Sequence, residues 1–211
     1  PNYRLDNGTI ALNGGILEIS DDTTVASNIR HLNDSTVIVD AGKKLTYSGD
    51  VLEIGDNSLK MSGGGDFYNT GSLKLNHEDS VLKLDGISKV EHVTFGENLT
   101  GGFLDVDQNT KIQTISHTKS SKIDIADQTA LTLVNSFAIP QGQTMELKGA
   151  GGGTVSISDN ITLSGILKMN AENNIISGGK LIFNDGLLDL DEDASIASKI
   201  ILGNNAQMDL S

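Results

Sequence analysis

The sequence predicts an all-β chain wound as a right-handed, single-stranded parallel β-helix, a β-solenoid of about ten coils of roughly 21 residues each. Three observations predict it. Short stretches alternate apolar and polar residues along nearly the whole chain. Clusters of Gly, Asn and Asp punctuate them. Equivalent leucines recur about once per coil.

The alternation comes first. Ile16-Leu17-Glu18-Ile19, Val51-Leu52-Glu53-Ile54, Ser72-Leu73-Lys74-Leu75 and Val81-Leu82-Lys83-Leu84 set the pattern, and Phe103-Leu104-Asp105-Val106, Lys122-Ile123-Asp124-Ile125 and Ala130-Leu131-Thr132-Leu133 continue it. Ile166-Leu167-Lys168-Met169, Leu187-Leu188-Asp189-Leu190 and Gln207-Met208-Asp209-Leu210 carry it to the last residues. Period two sends one set of side chains inward and the other to water. Each run is about four or five residues, a short strand. On this phase Ile123, Ile125, Leu131 and Leu133 point into the core. No segment shows a helical stripe; Ala194 to Leu202 comes nearest and reads as two strands.

Turn residues separate the strands: Asp6-Asn7-Gly8, Gly55-Asp56-Asn57, Gly63-Gly64-Gly65, Asn184-Asp185-Gly186 and Gly203-Asn204-Asn205. These residue types tolerate positive φ and suit sharp corners.

The repeat follows from the spacing. Leu52 leads to Leu73, Ile123 to Met145 and Leu167, Leu181 to Ile201, and Leu188 to Met208. A period of this size with three short strands fits one coil of a parallel β-helix. A leucine-rich repeat would need an Asn ladder and a helical convex side, and neither is present. A β-sandwich is the main rival, but its strands run longer and its core usually contains Trp or Tyr. Two stretches break the rhythm, Gly86 to Thr100 and Asn135 to Gln143, and read as longer corners or bulges. About ten coils at the interstrand spacing of about 4.8 Å would make a rod of roughly 50 Å.

Composition agrees. The 211 residues include 24 Gly, 2 Pro, 4% aromatics and no Trp, so the core must come from small aliphatic side chains. Cys is absent, which excludes disulfides and thiolate chemistry and suits a chain exported through an oxidising compartment. The net charge of -13 opposes binding to nucleic acid or anionic membranes, which needs basic patches. No apolar run approaches the roughly 18 residues of a membrane span.

Few constellations invite chemistry. His31, His77, His92 and His117 are not at metal-ligand spacing and read as solvated corner or face residues. Asp189-Leu190-Asp191-Glu192-Asp193 is the densest acidic stretch, and Asp105-Val106-Asp107-Gln108-Asn109 is similar. Both lack the Gly and closing Glu of a helix-loop-helix calcium site, and both read as charged exterior. Gly63-Gly64-Gly65-Asp66 resembles one calcium nonapeptide but does not repeat. Glycan hydrolysis needs two carboxylates across a groove. Asp85 with Asp105, and Asp189 with Asp209, lie about one coil apart, a spacing that 28 acidic residues produce by chance. No Gly-x-Ser-x-Gly elbow or phosphate loop is present. The reading is therefore no catalytic, cofactor-binding or metal residues and no cofactor.

The Gly-apolar-Leu-polar-apolar strands, Asn/Asp/Gly corners, missing Cys and acidic balance resemble the β-helical passenger regions of bacterial autotransporters and large secreted adhesins. Phe95 to Asn98 and the Gly-Gly units at Gly14 and Gly101 also resemble motifs of the chlamydial polymorphic membrane proteins, which repeat them many times where this chain does not. The resemblance implies a non-catalytic rod at the cell surface or secreted, serving as a stalk or a lateral contact for a surface protein or glycan receptor. The alternative is a polysaccharide-acting β-helix enzyme or a tailspike-like glycan-binding protein. Residues 1–211 are expected to be a single solenoid segment of a longer protein, without caps and prone to end-to-end self-association. No nucleic-acid partner and no membrane insertion are expected of it.

Overall fold

The computed structural model describes residues 3–96, 102–149, 152–170, 174–191 and 193–210. The chain is a β-solenoid: every strand-to-strand ladder is parallel, and the described residues contain no helix. Each coil contributes to three faces. Tyr3–Leu5, Thr9–Asn13 and Ile16–Ile19 form the first coil, one strand per face. Ser195–Leu202, which spans two faces, and Gln207–Leu210 form the tenth. The third face is a ladder of ten strands in strict order along the chain, from Ile16–Ile19 to Gln207–Leu210. Nine steps of about 4.8 Å make this stack roughly 43 Å tall.

Register shows the coil length directly. It varies from 19 residues, where Phe103 lies opposite Lys122, to 24, where Ser35 lies opposite Leu59. The expected pairs Leu52 with Leu73 and Leu188 with Met208 are cross-strand partners. Two others shift. Ile123 pairs with Leu147, and Met145 pairs with Ser121. Leu181 pairs with Ile200 rather than Ile201, because register slips between Ser177 and Lys180. The segment read as two strands near Ala194 to Leu202 is one strand, Ser195–Leu202, paired along both faces that it crosses.

The inward side chains form one continuous core. Ile123, Ile125 and Leu131 are fully buried and Leu133 is 2% exposed, as the alternation predicts. Gly86 to Thr100 keeps more order than its spacing implied. Lys89–Phe95 is a strand, and Ile87, Val90, Val93 and Phe95 are all buried; Leu99 lies outside the described residues. In the second irregular stretch, Phe137–Ile139 is a strand and Pro140 begins a corner.

Corners are tied to the coil before them by side-chain hydroxyls. Ser27 Oγ donates to Leu5 and Asn7 carbonyls, Ser80 Oγ to Ile54 and Gly55, and Thr129 Oγ1 to Asp107. Each adds a side-chain hydrogen bond where the backbone turns; the Leu5 and Ile54 carbonyls also accept the Ala26 and Asn76 N–H groups of the next coil. Glycine is required where the chain also crowds its neighbour. Gly63 has φ 102°, and a Cβ there would strike the Val39 carbonyl oxygen.

The two end coils expose apolar side chains that interior coils bury. Leu5 is 44% exposed where its partner Val25 is buried, and Leu202 is 62% exposed where Phe183 is buried. Met208 repeats this beneath the buried Leu188, and Leu210 is 71% exposed beneath the partly buried Leu190. Such surfaces, with unpaired strand edges, favour coil-on-coil stacking. The isolated 211-residue chain is therefore expected to self-associate with rising concentration. Light scattering should show this, and Leu202→Lys with Leu210→Lys should abolish it. A chain monomeric at millimolar concentration would contradict it.

Candidate functional site

The outward side chains of the third face form an ionic ladder along the rod. Lys60 contacts Asp85 at 2.5 Å, Lys83 bridges Asp105 at 2.9 Å and Asp107 at 2.7 Å, and Lys168 contacts Asp189 at 3.3 Å. Parallel strands stack like positions, so an outward residue meets its counterpart one coil away. Of the two carboxylate pairs weighed from spacing, Asp189 and Asp209 are cross-strand partners. Asp85 and Asp105 are not: Asp105 sits between Lys83 and Asp124, while Asp85 is bound by Lys60 and by Gln108 Nε2 at 3.0 Å. In the acidic stretch from Asp189, the side chains of Asp191 and Glu192 lie outside the described residues. Among the described residues no group of three potential ligands is placed to hold a metal.

This ladder carries shifted titrations. The Lys60 ammonium and its hydrogen bond hold Asp85 below the usual carboxylate range. Burial, then the charges of Asp105 and Asp107, push Asp124 up, against the opposing charge of Lys148. Lys83 is thus the cation that separates crowded carboxylates. Lys83→Met should destabilise the rod by about 1 kcal/mol at low salt, since a half-exposed pair is worth little but three neighbouring carboxylates then repel. Denaturant midpoints at low and high salt check this: the deficit should shrink in high salt.

Two histidines depart from the solvated reading. His31 is 9% exposed and His117 is 4% exposed. Both sit two residues after a buried isoleucine, Ile29 and Ile115, and so share the inward phase. His31 Nε2 lies 3.2 Å from the Ser58 carbonyl oxygen, and burial lowers its pKa. His117 Nε2 lies 2.8 Å from Ser121 Oγ, and its ring meets Phe95 edge-on at 6.1 Å. Burial drives His117 down to about 4, against the opposing influence of the nearby Thr144 backbone. Its Nδ1 has no partner among the described residues. The Ser121–His117 pair thus lacks a third group to orient the imidazole, and Ser121 is itself buried. His77 is exposed at a corner, 3.6 Å from Asp79, and His92 is half-buried.

His117 and Ser121 lie behind a recess on the flank. It has a volume of about 380 Å³ and is lined by Glu78, Gly102, Phe103, Ser120, Ser121, Lys122, Thr144 and Glu146. Its origin is a short corner. In the sixth coil only Thr118, Lys119 and Ser120 separate the strands Thr110–His117 and Ser121–Ile125. The fourth coil has five residues there, Asn76 to Ser80, between Leu73–Leu75 and Val81–Asp85. The sixth-coil corner is thus two residues shorter than that of the fourth. Gly102 keeps the wall thin, because a Cβ there would strike the Ser80 carbonyl oxygen.

The recess is lined by ordered polar groups. Ser120 Oγ accepts the Thr144 N–H at 3.0 Å and donates to Gln143 Oε1 at 3.5 Å. Phe103, Lys122 and Glu146 occupy successive coils on one outward line, since Phe103 pairs with Lys122 and Lys122 with Glu146. Glu146 Oε1 accepts from Asn170 Nδ2 at 3.0 Å and lies 3.6 Å from Lys148 Nζ. Periodicity alone did not single out Glu78, Phe103 or Glu146. The signal was the 19-residue interval from Leu104 to Ile123, against 22 from Leu82 to Leu104. No protein-family model matches the chain, and no curated protein or solved structure matches it significantly.

Proposed function

We propose that this chain is a non-catalytic rod segment of a bacterial cell-surface or secreted adhesin of the autotransporter-passenger type. In this reading its flank is a stalk or lateral contact for a surface protein or glycan receptor. The observation that supports it most is the unbroken stack of ten strands on one face, whose outward charges pair between successive coils. Such a stack extends by adding like units and presents a long lateral surface. Surface labelling tests the reading: antibody raised to this chain should stain intact cells of its source, and external protease should remove the stain. Signal only after cell lysis would overturn it.

A polysaccharide-acting enzyme is the second reading, favoured by one observation: Glu78 and Glu146 line the same recess. Acid-base hydrolysis needs carboxylates available to the scissile bond. Glu146 instead commits an oxygen to Asn170 and sits beside Lys148. Incubation with pectin, alginate and neutral glucans should release no new reducing ends. Turnover lost in Glu78→Gln or Glu146→Gln would favour the enzyme.

A further inference from the structure

We infer that the recess between the fourth and seventh coils binds a short neutral saccharide, one ring packed against Phe103 and its hydroxyls held by the Glu78, Lys122 and Glu146 side chains. The inference rests on reading the flank as a contact surface and names the ligand class that it takes there.

The chemistry of the lining selects this class. Phe103 is only half-buried and supplies an apolar ring face at the recess. Around it stand acceptors, the carboxylates of Glu78 and Glu146, and a donor, the Lys122 ammonium, while the Ser120 hydroxyl is engaged by Thr144 N–H and Gln143 Oε1. A polyhydroxylated ring has an apolar face and a rim of groups that both donate and accept, and so matches that arrangement. A volume of about 380 Å³ lies within the range of small-ligand sites.

Competing classes fit less well. An extended peptide usually binds to such folds by adding a strand to a free edge. Here the flanking strands use their backbone groups on the coils above and below, as Phe103 N–H does on the Ser80 carbonyl and Lys122 N–H on that of Gly102. An acidic saccharide would meet two carboxylates and one ammonium on a chain of net charge -13. The buried His117–Ser121 pair stiffens the back wall, so the recess is largely formed before a ligand arrives.

The test is a titration followed by amide chemical shifts, with cellobiose and N,N′-diacetylchitobiose as probes and digalacturonate for comparison. At least one neutral disaccharide should give saturable shifts at Phe103, Ser121, Lys122 and Thr144, with a dissociation constant of about 1 mM. Phe103→Ala should weaken binding about tenfold, and Glu146→Gln, which keeps its shape, by a smaller factor. Lys111→Ala, on the first face, should leave binding unchanged. Melting curves of each variant show whether it is folded, and Glu146→Gln serves if Phe103→Ala is not. Saturable shifts that these variants leave intact, tighter binding of digalacturonate, or no shift with either neutral disaccharide would overturn the inference. The last result would leave the rod reading standing, since surface labelling tests that separately.

Discussion

Leu131→Asp should unfold the middle of the rod. Leu131 is fully buried on the first face, with Thr110 on one side and Val155 on the other. A carboxylate placed there has no partner, and burying a polar group without one costs several kcal/mol, more when it is charged. Loss of the leucine side chain adds about 2–5 kcal/mol. Total stability of a domain is commonly about 5–15 kcal/mol, so one substitution removes much of it. Each coil leans only on its neighbours, so the damage should begin in the sixth to eighth coils and spread. Circular dichroism should show a melting point lower by tens of degrees or no cooperative transition. Leu131→Met should cost less than about 1.5 kcal/mol. Thr132→Asp, one residue along and directed outward, should cost far less than Leu131→Asp. Equal melting of Leu131→Asp and the parent would place this strand in the opposite phase.

Acid should weaken the rod through His117. Its folded-state pKa is about 4, below the ordinary value near 6.5, because the buried imidazole resists protonation. Between these values the unfolded chain holds the extra proton and the folded chain does not. Stability is therefore present in full above the ordinary histidine pKa and is lost as pH falls toward 4. The loss is about 3 kcal/mol, because each tenfold difference in proton affinity between the two states is worth roughly 1.4 kcal/mol. Burial also lowers the pKa of His31, so its contribution has the same sign. Carboxylates titrate in this range as well: Asp85, held low, loses stability on acidification, and Asp124, held high, opposes it. The clean readout is the difference between the parent and His117→Leu. That variant leaves Ser121 Oγ without its imidazole, a cost that does not vary with pH. Its denaturant midpoint should fall less than the parent's between pH 7 and pH 4.5. Parallel loss in the two proteins would mean that His117 is protonated in the folded rod.

The inside and outside of the rod were legible in the sequence, because period two records burial residue by residue. Ile123, Ile125, Leu131 and Leu133 follow it. The register between coils was less legible for a physical reason. Slipping a strand by two residues keeps every leucine inward. Ile123 therefore suits Met145 and Leu147 equally on pattern alone, and the length of the corner at Pro140 to Gln143 decides for Leu147. The pairing of Leu181 with Ile200 turns on the irregularity at Gly178 and Gly179, both at positive φ, which the pattern counts as ordinary strand. Histidine was misread by type rather than by phase: His31 and His117 share the parity of the core, and that parity decides their burial. The recess lies where a 19-residue interval falls between longer ones of 22 and 24 residues. Which side chains line it depends on corners that have no period.

The central claim is that successive coils stack in parallel with one specific register, and engineered cysteines test it most directly because the chain has none of its own. Ser156 and Ser177 are cross-strand partners on the outer surface of the first face, with hydroxyl oxygens 3.4 Å apart. Neighbouring strands at about 4.8 Å fall within the roughly 4.4–6.8 Å between Cα atoms that a disulfide spans. Thr132 lies one coil further, in line with Ser156, so Thr132 and Ser177 are about twice that distance apart and out of reach. Under mild oxidation, Ser156→Cys with Ser177→Cys should form an intramolecular disulfide nearly completely. Thr132→Cys with Ser177→Cys should stay reduced. Cross-linking of the second pair, or failure of the first in a folded chain, would contradict the stacked-coil account.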